Sequence, residues 1–227
     1  ADRRARAGDP VAASGGIIAA NRVIDLAAAQ EIDKTHYDGI IAPGYSDDAL
    51  AVLKRKKDLR IISLGTEISP PKGEMPWWDM RRVSGGLLVQ TPDYFTEKEF
   101  SPRTVSKREP APEERQDLFF AWKAVKLIKS NAIVLARDNT LLGMGAGQPS
   151  RVVSVDLALK KAGDRARGSV LGSDAFFPFA DGVELAAKGG VTAIIEPGGS
   201  LRDEDAIAMA DRYDMAMLFT GARHFRH

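Results

Sequence analysis

The chain predicts an α/β fold built on parallel sheet, and three observations lead there. Short apolar runs bounded by turn residues alternate with amphipathic stretches, as in Tyr37-Asp-Gly-Ile-Ile-Ala-Pro43, the segment opened by Ser46, and Leu59-Arg-Ile-Ile-Ser-Leu64. Strand, helix, strand in that cadence is the signature of a parallel unit. Two glycine-rich turns, at 143–151 and 196–203, each lie between a strand and a helix. Finally, 227 residues suffice for one large domain or two small ones with real cores.

Composition narrows the function classes. Lys+Arg number 32 against 31 Asp+Glu, a balanced surface that argues against a nucleic-acid footprint or a membrane-surface patch. With no cysteine there are no disulfides, thiolate metal sites or cysteine nucleophile, which suits a reducing cytoplasm. Three scattered histidines without cysteine argue against a catalytic zinc, so no catalytic metal is expected. No apolar run approaches the roughly 20 residues of a spanning helix, and no signal peptide is visible. Ala1-Asp-Arg-Arg-Ala-Arg-Ala7 reads as the tail of a helix without an initiator Met, so the true N-terminus is expected upstream.

In order, residues 9–20 pass from a proline turn through Gly15 and Gly16 into an apolar run. A helix follows with Val23, Leu26, Ala27 and Ile32 expected inward. Residues 37–43 are a strand, Ser46 caps a helix through about Lys57, and 59–64 is the next strand. Residues 65–112 are punctuated by prolines and carry one clear strand, Gly86–Gln90. Trp77 and Trp78 are expected to cover a hydrophobic edge there, in a connecting region too apolar to be a disordered linker. From Glu113 a helix runs to about Lys129 with Leu118, Phe119, Trp122, Val125 and Ile128 inward. A strand at 131–137, a turn at 138–140 and a hairpin partner at 141–144 come next. Helices are then expected from about 151 to 161, 182 to 188 and 200 to 213, with strands at 191–196 and 215–219, while Gly168–Gly172 leads into the segment that ends at Gly182. The second half thus reads as a complete α/β unit and the first as the end of one.

The segment Gly172-Ser-Asp-Ala-Phe-Phe-Pro-Phe-Ala-Asp-Gly182 stands out. Three rings, two carboxylates and a proline suit a pocket wall holding a flat ligand. Taken alone, it reads more simply as a loop pinned by its phenylalanines, Phe177 and Phe179 above all. The two glycine-rich turns place free N–H groups and the positive end of a helix dipole where a phosphate or carboxylate can sit, but glycines also serve plain turn geometry. Neither matches the P-loop or dinucleotide spacing. Ser200 with Asp203 has the form of a capping box. The tail holding Arg223, His224 and His227 is either a solvated end or, because it leaves a strand directly, part of a site beyond the sheet. His36 reads as an exposed helix-end residue, and Asn131 and Asp38 as residues satisfying local backbone.

Together these motifs resemble a known family. Ser130-Asn-Ala-Ile-Val134, Gly143–Arg151, Ser173–Asp181, Glu196-Pro-Gly-Gly-Ser200 and Arg223-His-Phe-Arg-His227 occur in the order and spacing of the AICAR transformylase domain. That domain is the folate-dependent half of the bifunctional purine enzyme that also carries IMP cyclohydrolase. Ser14-Gly-Gly-Ile-Ile18 and Asp38-Gly-Ile-Ile-Ala-Pro-Gly-Tyr45 match as well. The resemblance implies a cytidine-deaminase-like three-layer α/β/α fold: the end of one subdomain over 1–64, a connecting region over 65–112 and a complete second subdomain over 113–227. It implies an intertwined homodimer that transfers a formyl group from 10-formyltetrahydrofolate to the 5-amino group of AICAR. By motif, Gly15, Asp38, Asn131, Arg151, Phe176 and Arg223 would contact AICAR. Val152, Asp181, Ser200 and Leu201 would line the folate side, with Asn131 and His227 near the reacting amine.

The departures matter. The family's catalytic Lys-His pair, in a Lys-His-Ala-Asn-Pro-Cys-Gly type motif, has no counterpart in the sequence, nor has the cyclohydrolase domain, and Ala13 replaces a common bulky aromatic. The amine, conjugated to a carboxamide, needs a base as it attacks. The expectation is therefore most of a binding cleft without its principal base, completed by an upstream segment of the same or a separate chain. The alternative is a non-catalytic nucleotide- or folate-binding fragment or pseudoenzyme.

Overall fold

A computed structural model describes residues 1–66, 78–93 and 100–227. It divides into two compact units, Ala1–Arg6 with Pro10–Thr96, and Ala7–Asp9 with Glu97–His227.

The first unit opens with a short helix, Asp2–Arg6 (α1), and is built on a three-stranded parallel sheet in the order β1-β2-β3: Gly16–Ala19, Tyr37–Ala42 and Arg60–Ser63. Two helices join these strands, Leu26–Asp33 (α2) and Asp47–Leu53 (α3). Asp25 and Ser46 cap them, accepting from the Ala28 and Ala49 N–H groups at 2.8 and 3.3 Å. Their buried faces, Ala29, Ile32, Ala49 and Leu53, pack with Ile24, Tyr37 and Ile40. The expected inward face of α2 is corrected here. Val23, Leu26 and Ala27 are exposed and Ala29 takes their place beside Ile32, because Asp25 starts the helix and leaves Val23 outside it; Ile24 instead bridges to Tyr45. The α3 helix also stops at Leu53, short of Lys57. A solvent-exposed antiparallel hairpin follows, Asp79–Val83 (β4) with Gly86–Gln90 (β5). Trp78 is exposed, and Trp77 lies outside the described residues.

The second unit carries a six-stranded mixed sheet in the order β6-β11-β10-β9-β7-β8. These strands are Arg103–Thr104 (β6), Ile133–Arg137 (β7), Thr140–Gly145 (β8), Val170–Ser173 (β9), Ala193–Glu196 (β10) and Ala216–Phe219 (β11). Period-2 alternation sorts their side chains cleanly onto two faces. Ala132, Val134, Ala136, Val170, Ala193, Ile195, Ala216 and Leu218 meet Leu118, Ala121, Trp122 and Val125 of helix Pro112–Val125 (α4). On the opposite face Ile133, Leu135, Leu171, Ile194 and Met217 meet three helices, Arg151–Ala162 (α5), Asp181–Lys188 (α6) and Asp203–Arg212 (α7). Helices thus cover both faces, and the unit is a three-layer α/β/α structure.

Two glycines of the 143–151 motif serve packing. A Cβ at Gly143 would fall 2.3 Å from Ala158 O, and one at Gly145 would fall 2.0 Å from Ser154 O, so their absence lets α5 lie directly on β8. Among the described residues no helix is long and apolar enough to cross a membrane.

Candidate functional site

Parallel strands β9, β10 and β11 point their carboxyl ends to one edge of the second unit. Because β7 runs antiparallel to β9, with Ile133 opposite Ser173, the entrance of β7 meets the exit of β9. That register brings Ser130 and Asn131 beside Asp174. Arg151, the first residue of α5, closes the group.

Arg151 is almost wholly buried and Asp174 is fully so. The Arg151 guanidinium donates through Nη1 to Ser173 Oγ at 2.8 Å and to the Asp174 carboxylate, and through Nη2 to Asn131 Oδ1 at 2.7 Å. Ser130 Oγ donates to the other Asp174 oxygen. A buried charge pair survives only when both partners are hydrogen-bonded this fully. Asn131 is fixed in turn: Nδ2 donates to the Gln148 and Pro149 carbonyls at 2.9 and 3.1 Å. Both amide hydrogens are thereby used, while Oδ1, accepting from Arg151, retains a second lone pair. The Ser130–Asn131 peptide bond is cis.

This group forms one side of a cleft of about 350 Å³, lined by Asn131, Pro149, Ser150, Arg151, Val152, Phe176 and Asp181, with Phe177, Phe179 and Phe225 among its apolar walls. The volume is at the lower end for small-molecule sites. Ser150, preceding α5, makes no side-chain capping bond, so among the described residues the first N–H groups of that helix have no side-chain acceptor beside the cleft. The second glycine-rich turn differs. Asp203 accepts from Gly199 N at 2.7 Å and Ser200 N at 3.0 Å, so the chain's own carboxylate fills that seat. This is the reaching-back half of the expected capping box; the Ser200 hydroxyl instead accepts from Arg202 N at 3.1 Å.

Five sequence-singled residues therefore share the cleft: Asn131, Arg151, Val152, Phe176 and Asp181. Asp181 is exposed at the start of α6 and accepts from Gly182 N at 2.7 Å. Phe177 is buried as expected, its ring fitting against Gly182, where a Cβ would fall 2.7 Å away. Phe179 is not the expected core anchor: it is half exposed beneath the Arg202 guanidinium, 5.0 Å from the ring centre.

The remaining residues lie elsewhere. Ser200 and Leu201 belong to the turn before α7, with Leu201 fully exposed. Arg223 and His227 are exposed and flank Phe225, the Arg223 guanidinium 5.3 Å and the His227 ring 6.1 Å from the Phe225 ring, which itself lines the cleft. The tail is no frayed end. His224 is buried against Trp122 at 4.2 Å, its N–H donates to Asp174 O at 2.9 Å, and Ser130 N donates to Arg226 O at 2.9 Å. Gly15 and Asp38 belong to the other unit. Gly15 has φ +75° and donates to His36 O at 2.9 Å. Asp38 is exposed, 3.3 Å from His36 Nε2.

Sequence reasoning missed Ser130, Phe225 and the bracing role of Asp174. It also missed Glu196, a fully buried carboxyl ending β10 whose Oε2 accepts from Phe177 N at 2.9 Å. Burial pushes that carboxyl up to about 8. The missed signal was an acid closing an otherwise apolar strand, Val191-Thr-Ala-Ile-Ile-Glu196. Among the described residues no cluster of three or more His, Cys, Asp or Glu side chains is arranged to hold a metal.

Comparison with known proteins adds the following. A family model described as AICARFT/IMPCHase bienzyme matches residues 1–161. The bifunctional purine biosynthesis protein PurH of Bacillus mycoides (strain KBAB4) is 51% identical over 224 residues, 99% of this chain and 43% of the relative. PurH proteins of Bacillus cereus (strain AH820) and Bacillus anthracis match with the same identity and coverage. The chain thus spans 43% of the length of these curated relatives.

Proposed function

The chain belongs to the AICARFT/IMPCHase bienzyme family, and from that premise we propose that it is the C-terminal part of an AICAR transformylase, acting in purine (IMP) synthesis. In this reading it binds AICAR and 10-formyltetrahydrofolate and takes part in formyl transfer to the AICAR 5-amino group.

The observation that carries the reading is the state of Asn131. Both its amide hydrogens are committed to backbone carbonyls, so what Asn131, a lining residue of the cleft, has left to offer a ligand is an oxygen with a lone pair to spare. Such an acceptor orients an amine by taking one of its N–H bonds and leaves the nitrogen lone pair free to attack. Phe176 offers a flat apolar wall to the imidazole, and the N-terminal turn of α5 offers N–H groups to the phosphate. When bound, 10-formyltetrahydrofolate supplies the formyl carbon that the amine attacks. The cleft residues fit its ring system: Val152 is half-buried and apolar, and Asp181 keeps an oxygen that can accept from pterin N–H groups.

The attacking amine must lose a proton. His224 is buried against Trp122, and no Lys-His dipeptide occurs in the 227 residues. The reading therefore assigns the base to an upstream segment, with His227 near the amine. It takes residues 1–64 and 113–227 as cytidine-deaminase-like subdomains joined by 65–112, in a cytoplasmic homodimer. The three-layer second unit supports that fold.

The test is formation of tetrahydrofolate from AICAR and 10-formyltetrahydrofolate. The chain alone is expected to bind AICAR without turnover, and to turn over when the Lys-His-bearing segment of a relative is added. Turnover by the chain alone would refute the missing-base argument; no AICAR binding, with or without that segment, would refute the function.

A further inference from the structure

Glu196 has no part in the reaction as described, yet it is a wholly buried ionisable side chain bonded to the segment that lines the cleft. Its carboxyl is fully buried; Oε2 holds Phe177 N at 2.9 Å, and Oε1 has no hydrogen-bond partner among the described residues. Phe177 is buried and follows Phe176, so a single hydrogen bond joins the end of β10 to the aromatic wall.

We propose that Glu196 is a positioning residue whose neutral carboxyl fixes the aromatic wall of the cleft, and that loss of its proton releases that wall. This deepens the reading of the cleft as a ligand site and rests on it.

The physical argument is one of solvation. A neutral carboxyl with one hydrogen bond is tolerable in an apolar setting, whereas a carboxylate with an unpartnered oxygen is not. The charged groups acting on Glu196 come from two helices. Asp203, entering α7, opposes ionisation, and Arg151 of α5 favours it but is already committed to Asp174. From the sheet, β11 places Phe219 beside Glu196 in register, and Ile195 pairs with Gly172 of β9, so neither adds a compensating charge. Burial is the largest cause, and the resulting value of about 8 puts the change within reach of ordinary buffers. Water reaches the ionised group by parting the Phe177 segment from β10, and that parting displaces Phe176.

Proton linkage sets the sign. The carboxyl is raised above its ordinary 4.5, so the closed wall holds a proton that the open one does not. Opening therefore becomes about tenfold more favourable per pH unit between roughly pH 5 and 8, then levels off. Hydrogen exchange of the 175–181 segment, corrected for intrinsic rates, reads this directly. Between pH 6 and 8, wild type is expected to lose protection by about tenfold per unit. Glu196→Gln, a neutral isostere that keeps the acceptor for Phe177 N, is expected to hold its protection constant. Glu196→Ala should be poorly protected at every pH. Equal pH dependence in wild type and Glu196→Gln overturns the proposal. AICAR affinity measured in parallel should weaken with pH in wild type only. No AICAR binding at any pH would count against the ligand reading instead, while the exchange result still decides the role of Glu196.

Discussion

Replacing Arg151 by Met tests whether the floor of the cleft is held by a buried ion pair. Arg151 is 7% exposed and Asp174 0%, so the substitution leaves a buried carboxylate with, among the described residues, only the Ser130 hydroxyl as a side-chain partner. Leaving one partner of a buried pair uncompensated costs about 3–5 kcal/mol. The same change also removes the bonds to Ser173 and Asn131. For a protein of ordinary stability, about 5–15 kcal/mol, this is a large fraction of the whole. Removing both charges should hurt less than the sum of the parts. Arg151→Met with Asp174→Asn is expected to be more stable than additivity allows, by about 2–3 kcal/mol. Urea unfolding of wild type, both single variants and the double variant, followed by circular dichroism, gives the cycle. Additivity within about 0.5 kcal/mol would refute the coupling, and a cost below about 1 kcal/mol for Arg151→Met would show that Asp174 does not depend on it.

Other predictions concern packing, pH and chemistry. Gly145→Ala should cost about 3 kcal/mol, because its methyl meets the Ser154 carbonyl at 2.0 Å. Gly147→Ala, in open space with φ +66°, should cost only about 1–2 kcal/mol; equal losses in thermal unfolding would remove the close-packing argument. For Glu114, burial pushes the carboxyl up, but hydrogen bonds from Arg108 and Ala111 N overrule it and leave it below its ordinary 4.5. Its stabilisation is thus present above pH 4.5 and lost as pH falls through the lower folded value. Glu114→Gln should accordingly show a shallower acid limb in its stability profile than wild type. In an enzyme reconstituted with the upstream segment, Asn131→Ala should lower turnover by about 100-fold while weakening AICAR binding far less; an unchanged turnover number would remove Asn131 from the reaction.

Much of the architecture was readable because its signals are local. Period-2 runs such as Ile133–Arg137 and caps such as Ser46 depend on neighbours in sequence, and the structure realises them. The α2 face was misassigned for an equally local reason, since counting from Val23 ignored the cap at Asp25. The 143–151 and 196–203 turns look alike in sequence. What separates them is tertiary: Asp203 occupies one set of N–H groups, while the other opens on the cleft. Arg151, Asn131 and Phe176 came from motifs, but their meeting depends on the antiparallel register of β7 with β9. No spacing rule reveals that Ser130 and Asp174 are partners, 44 residues apart. The tail stayed open between a solvated end and a site element because Arg223, Phe225 and Arg226 are exposed, while the burial of His224 depends on α4.

The central claim, that the cleft between α5 and the Phe176 segment is the AICAR site, is tested most directly by calorimetric titration of AICAR into the chain and its Phe176→Ala variant. The account predicts saturable binding to wild type, weakened by about tenfold in the variant through loss of the aromatic wall. Equal affinity in the two proteins, or no binding to the wild-type chain, would contradict it.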